Sequence, residues 1–104
     1  MTGSEDHTIK LDEASAWTQN YRDTINSGDT IAHAFGKDAI QAILDQNNCV
    51  GIRIYYALDE DGHKQLIIVG VNSQDNDLYE GLLAERSYRC PSTCSSNNPL
   101  NSSL

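Results

Sequence analysis

The stretch CVGIRIYYALDEDGHKQLIIVGV, residues 49–71, constrains the fold more than any other part of the chain. Two runs rich in β-branched and aromatic residues flank Asp59-Glu60-Asp61-Gly62, the composition of a tight hairpin turn with Gly62 at positive φ. Antiparallel strands are expected over about 49–58 and 64–71. Pairing Leu58 with His63 sets Val50 against Val71, Ile52 against Val69 and Ile54 against Ile67, which gives one continuous aliphatic face. The opposite face then carries Arg53, Tyr55, Ala57, Lys64, Leu66 and Ile68, with Gly51 across from Gly70. A slip of one residue exchanges the faces.

A two-stranded hairpin is marginal in water by itself. It must pack against helices and either gain a third strand or extend across a second subunit. The expected class is therefore α+β, a central hairpin on two or three helices. The mixed second face and the unpaired edge point to a twofold homodimer.

Two helices flank the hairpin on its N-terminal side. Leu11, Ala14, Thr18, Tyr21 and Ile25 share one helical face, with Trp17 beside them as a core residue. Asp12 is the expected N-cap, and Asn26-Ser27-Gly28-Asp29 the stop. Residues 31–35 read as a short strand or an apolar connector. Ala39, Ile40, Ile43 and Leu44 then repeat at helical spacing up to Gln46-Asn47-Asn48. After Val71, Asp77 and Glu80 have capping-box spacing for a short helix from about residue 78. A third strand through LLAERSYRC competes with it.

At 104 residues the chain is read as one domain over 9–90, preceded by a flexible polar leader, 1–8. A polar tail, 91–104, follows and is expected to dock. The fragments WTQNYR, FGKDAI, CVGIRIYYALDEDG, LIIVGV and CPSTCSSNNPLN together resemble a set of short uncharacterised bacterial proteins over roughly residues 9 to 101. That resemblance implies a self-contained domain. It assigns no activity, ligand or catalytic residue.

Fifteen acidic residues against seven Lys and Arg give a net charge of −8, with no two basic residues adjacent. A nucleic-acid or anionic-membrane surface requires a basic patch, so neither partner is expected; a basic protein partner, or plain solubility, fits the charge better. No apolar run approaches the roughly 20 residues that span a bilayer. The opening MTGSEDHTIK has no signal-like apolar core, and the expected compartment is the cytoplasm. Thiols are normally reduced there, which weighs against a structural disulfide.

The candidate chemistry is sparse. Cys90 and Cys94 have a spacing that can present two thiolates to zinc, with Cys49, His33, His63 or the same pair from a second copy as further ligands. A disulfide and two inert small residues are the alternatives. A His33–Cys49 pair would supply a base and a nucleophile, although no spacing demands it. Arg53 and Tyr55, on the mixed hairpin face, suit an anionic ligand or a partner's carboxylate. The Asp59–Asp61 and Asp75–Asp77 clusters fail the EF-hand pattern and read as turns. With no catalytic motif, the expected function is a non-enzymatic, acidic interaction or assembly module. A zinc domain and a small Cys/His enzyme are the alternatives.

Overall fold

The hairpin forms, but one residue out of the expected register. A computed structural model describes residues 1–102. Its elements in order are α1 (Leu11–Arg22), β1 (Ala32–Ala34), α2 (Lys37–Leu44), β2 (Gly51–Leu58), β3 (Lys64–Val71), β4 (Leu83–Ala84) and β5 (Tyr88–Cys90). The class is α+β, as expected.

In the hairpin, Leu58 pairs with Lys64 rather than His63, and Ile52, Ile54 and Tyr56 face Gly70, Ile68 and Leu66. The reason lies in the turn. Asp59 N–H donates to the carbonyl of His63 (3.0 Å) and Gly62 N–H to that of Asp59 (3.0 Å), so three residues are enclosed instead of four. Gly62 takes φ 80°, as the three-residue hairpin loop requires. The Asp59 carboxylate fixes the loop by accepting the N–H groups of Asp61 and His63, both at 2.9 Å. Ile68 thereby joins the face of Ile52, and Val69 and Val71 join that of Arg53. The expected all-aliphatic face is split between the two sides of the sheet.

The chain's contacts group into two units. The first comprises Met1–Glu5 and Ala34–Ser87. In it the sheet order is β2-β3-β4, so the third strand forms and the short helix expected from residue 78 does not. Backbone pairing wins here because Leu83 and Ala84 find open partners in Val69 and Ile68. The amphipathic face of α2 covers one side of this sheet. Ile43 (1% exposed), Ile68 (2%) and Ala84 form the core there, flanked by Phe35, Ile40, Cys49 and Ile52. Gly70 permits that approach, since a Cβ on it would lie 3.0 Å from both Cys49 Sγ and Gln46 Nε2. Gln46 ties the end of α2 to the segment before β4. Its Nε2 donates to Ile43 O (2.9 Å), and its Oε1 accepts Leu82 N–H (2.8 Å).

The second unit comprises Asp6–His33 and the chain from Tyr88 onward. Here β1 pairs with β5, and Ile31 N–H donates to Cys90 O at 2.8 Å. The α1 helix begins one residue before Asp12, which lies in its first turn, and Lys10 at the cap position makes no side-chain capping bond. No residue of α1 is buried, and Trp17 is 61% exposed, against the expectation that it is core. The partly buried side of α1 is instead polar, and it binds the C-terminal segment. Ser15 Oγ donates to Pro99 O (2.9 Å) and Arg22 Nη1 to Leu100 O (2.7 Å). Of the three large apolar residues among the five stripe positions, Leu11 and Tyr21 are exposed and Ile25 lies beyond the end of the helix, so they do not outweigh those polar contacts.

Candidate functional site

Arg53 and Tyr55 converge on one carboxylate, and it belongs to the same chain. Both bond Asp77, Arg53 through Nη1 and Tyr55 through its hydroxyl. Arg53 also donates to Asp75 O at 3.2 Å. The loop after β3 delivers Asp77. Asn72 N–H donates to Asn76 O, and the Asn72 carboxamide accepts Gln74 and Asn76 N–H, all at 3.0 Å. The chain turns back so that Asp77 bridges to Val71 and Leu78 N–H reaches Gly70 O (2.8 Å).

Arg53 pairs with Val69 on the opposite edge of β3 from Asp77, so the ion pair spans the strand. Val69 and Val71 lie on that same face and are 2% and 1% exposed. Met1 adds to the cover. Its amino group meets Asp75 Oδ1 at 2.5 Å, and its sulfur packs at Gly51.

The electrostatics follow from this geometry. The Tyr55 hydroxyl, and then the Arg53 guanidinium, hold Asp77 below the ordinary carboxylate range. The same carboxylate raises Tyr55 and Arg53. The cluster is thus a clasp that closes the sheet's second face, with its charges answered internally. Asp77 went unseen in the sequence because its spacing to Glu80 resembles a helix cap, and its true partners lie 22 and 24 residues away.

The cysteines resolve differently from the zinc expectation. Cys90 and Cys94 form a disulfide with Cα atoms 4.8 Å apart, so in this state neither offers a thiolate to a metal. The backbone curls to bring them together, with Thr93 N–H on Arg89 O at 2.9 Å. Cys49 is a free, half-buried thiol in the first unit, bonded to Gly51 O at 3.2 Å. His33 is in the second unit, where burial and then Arg89 lower its pKa.

Asp59, Asp61 and His63 place one potential ligand atom each within 4.8 Å of one another in the hairpin loop. Asp59 is already engaged by the loop. The Gln65 amide and the His63 and Asp61 N–H groups pull its pKa from 3.8 down to about 2. A depressed carboxylate contributes stability that is complete above its ordinary pKa and lost as pH falls through the folded value. Urea midpoints are therefore expected to hold steady above pH 4 and drop towards pH 2. Asp59→Asn should flatten part of that drop. An unchanged acid limb in that variant would show that Asp59 does not link the turn to protonation.

Two apolar surfaces remain open in the first unit. One is a shallow depression between α2 and β4, lined by Ala39, Ala42, Leu82 and Leu83 with Glu85 and Arg86. The other is the outer edge of β2, where Ile54, Tyr55, Tyr56 and Leu58 are exposed and Tyr56 is 94% so. Among the described residues no helix is long and apolar enough to cross a membrane. No family model, curated protein or solved structure matches the chain. Residue roles therefore rest on this geometry alone.

Proposed function

We propose that the chain is a non-enzymatic protein-interaction and assembly module that binds through the outer edge of β2. One observation carries the reading: residues 54–58, Ile-Tyr-Tyr-Ala-Leu, form a charge-free exposed strand edge on a chain of net charge −8. An exposed apolar edge offers a ready template for strand addition, and proteins normally blunt such edges with charge, proline or a bulge. No such residue interrupts 54–58.

A photo-crosslinking amino acid placed at position 56 tests this in living cells, with the exposed position 79, away from the edge, as the control. Covalent attachment to a polypeptide at 56 but not at 79 is expected. Absence of any adduct at 56 overturns the proposal.

The cytoplasmic placement expected from the N-terminus pulls against the Cys90–Cys94 bridge, because disulfides persist in oxidising compartments. Rapid alkylation of thiols during lysis reads which state is present in the cell. A bridge found fully oxidised in freshly lysed cells rejects the cytoplasmic assignment.

A further inference from the structure

We infer that the occupant of the β2 edge is a second copy of the same strand, aligned antiparallel about a twofold axis at Tyr56. The inference rests on the edge-binding reading above and names its partner.

The backbone sets the possible alignments. Asp59 and His63 are a hydrogen-bonded pair at the end of the ladder, with Asp59 N–H on His63 O at 3.0 Å. Antiparallel ladders alternate bonded and non-bonded pairs. The N–H and C=O groups of Ile54, Tyr56 and Leu58 consequently point away from β3. They have no other backbone partner among the described residues. A second strand must meet these three residues with outward groups of its own, so even-numbered residues face even-numbered residues. Twofold axes at residues 55, 56 and 57 satisfy that condition.

The side chains choose among them. An axis at Tyr56 sets Ile54 against Leu58 of the other copy and Tyr56 against its own mate, with Tyr55 against Ala57. It also brings Arg53, already paired with Asp77, opposite Asp59 of the other copy, itself held by its own loop, so that unlike rather than like charges become cross-strand neighbours, twice by symmetry. An axis at 55 faces Arg53 with Ala57 and Asp59 with Gly51. An axis at 57 faces Ile54 with Glu60. Across residues 53–59, only the middle alignment places apolar with apolar and positive with negative; Ile52 and Glu60 face each other just beyond that stretch.

Charge also favours a second copy over a basic partner. The edge has no carboxylate between residues 54 and 58 for a basic protein to engage. Two chains of net charge −8 repel over most of their surface, and this is the stretch where they meet without opposing like charges. The product is a six-stranded sheet in the order β4-β3-β2-β2-β3-β4, with both β2 edges closed. A ladder of three bonded pairs is a small interface, so the dissociation constant is expected on the order of 1–100 µM.

Sedimentation equilibrium of the purified chain over a concentration series, with the disulfide intact, tests the inference. A monomer–dimer equilibrium is expected. Tyr56→Lys and Leu58→Lys should each weaken it at least tenfold, while Tyr79→Lys, at an exposed position away from the edge, should not. Circular dichroism identifies a variant that has lost its fold, and the other edge variant then decides. Isotope-filtered NOEs in a mixed-label dimer should connect Ile54 of one copy to Leu58 of the other. A monomer at every concentration, a dimer indifferent to both edge variants, or NOEs in another alignment overturns the inference. A monomer that still crosslinks at position 56 to a different polypeptide removes the second copy and leaves the edge-binding reading standing.

Discussion

Ile43→Ala is expected to cost about 2–5 kcal/mol, the range for truncating a fully buried aliphatic side chain. A chain of this length has roughly 5–15 kcal/mol in total, so this one change removes a large share of its stability. The buried apolar set is small. Ile43, Ile68, Val69, Val71 and Ala84 lie in the first unit and Cys90 in the second. Ile43 packs with Ile68 of β3 and Ala84 of β4, and its carbonyl accepts Gln46 Nε2, so neighbours have little freedom to collapse into the cavity.

Urea denaturation should show a large drop in midpoint with the slope preserved. Trp17→Ala is the informative contrast. Trp17 is the largest apolar residue in the chain, yet its exposure puts the expected change within about 0.5 kcal/mol. A ranking in which Trp17→Ala costs more than Ile43→Ala would refute this placement of the core.

Reducing the Cys90–Cys94 bridge is expected to cost about 2 kcal/mol, from the chain entropy regained when so short a loop opens. The effect should be local to the second unit. Cys90 O accepts Ile31 N–H, and the residues after Cys94 reach α1 through Pro99 and Leu100. Hydrogen exchange at the Ile31 and Thr93 amides should accelerate on reduction, while the Val50 amide, bonded to Val71 O, stays protected. Cys94→Ser should reproduce the pattern without reductant. Uniform acceleration across both units would show that the bridge supports the whole chain; no change at Ile31 would show that it supports nothing.

The sequence was most informative where the deciding contacts are local. Gly62 at positive φ, the strand runs around it and the periodicity of α2 each depend on residues within a few positions of one another, and all three appear as expected. The register depended on whether the turn closes at Leu58 or Asp59, a difference of one backbone hydrogen bond that composition does not encode. The third strand was one of two readings for residues 78–90. It was settled by an open edge on β3, which no local pattern around Leu83 reveals.

Of the candidate residues, Arg53 and Tyr55 were legible as a pair, but their partner Asp77 was not. A carboxylate two dozen residues away announces itself only after the chain has turned back along β3. The cysteines show the same division. Their spacing permitted zinc, a bridge or neither, and the fold decided by curling residues 89–93 until the two Cα atoms came within bonding reach. Trp17 misled because helical periodicity records which residues share a face and not what that face meets.

By itself, then, the sequence determined the α+β class, the hairpin and its turn, and the acidic, motif-poor surface, all set by neighbouring residues or by totals. Only the tertiary structure decided the register, the Asp77 clasp, the disulfide and the position of the core. Each of those is a choice between distant segments whose energies differ by a few contacts, and that choice exists only once the segments are brought together.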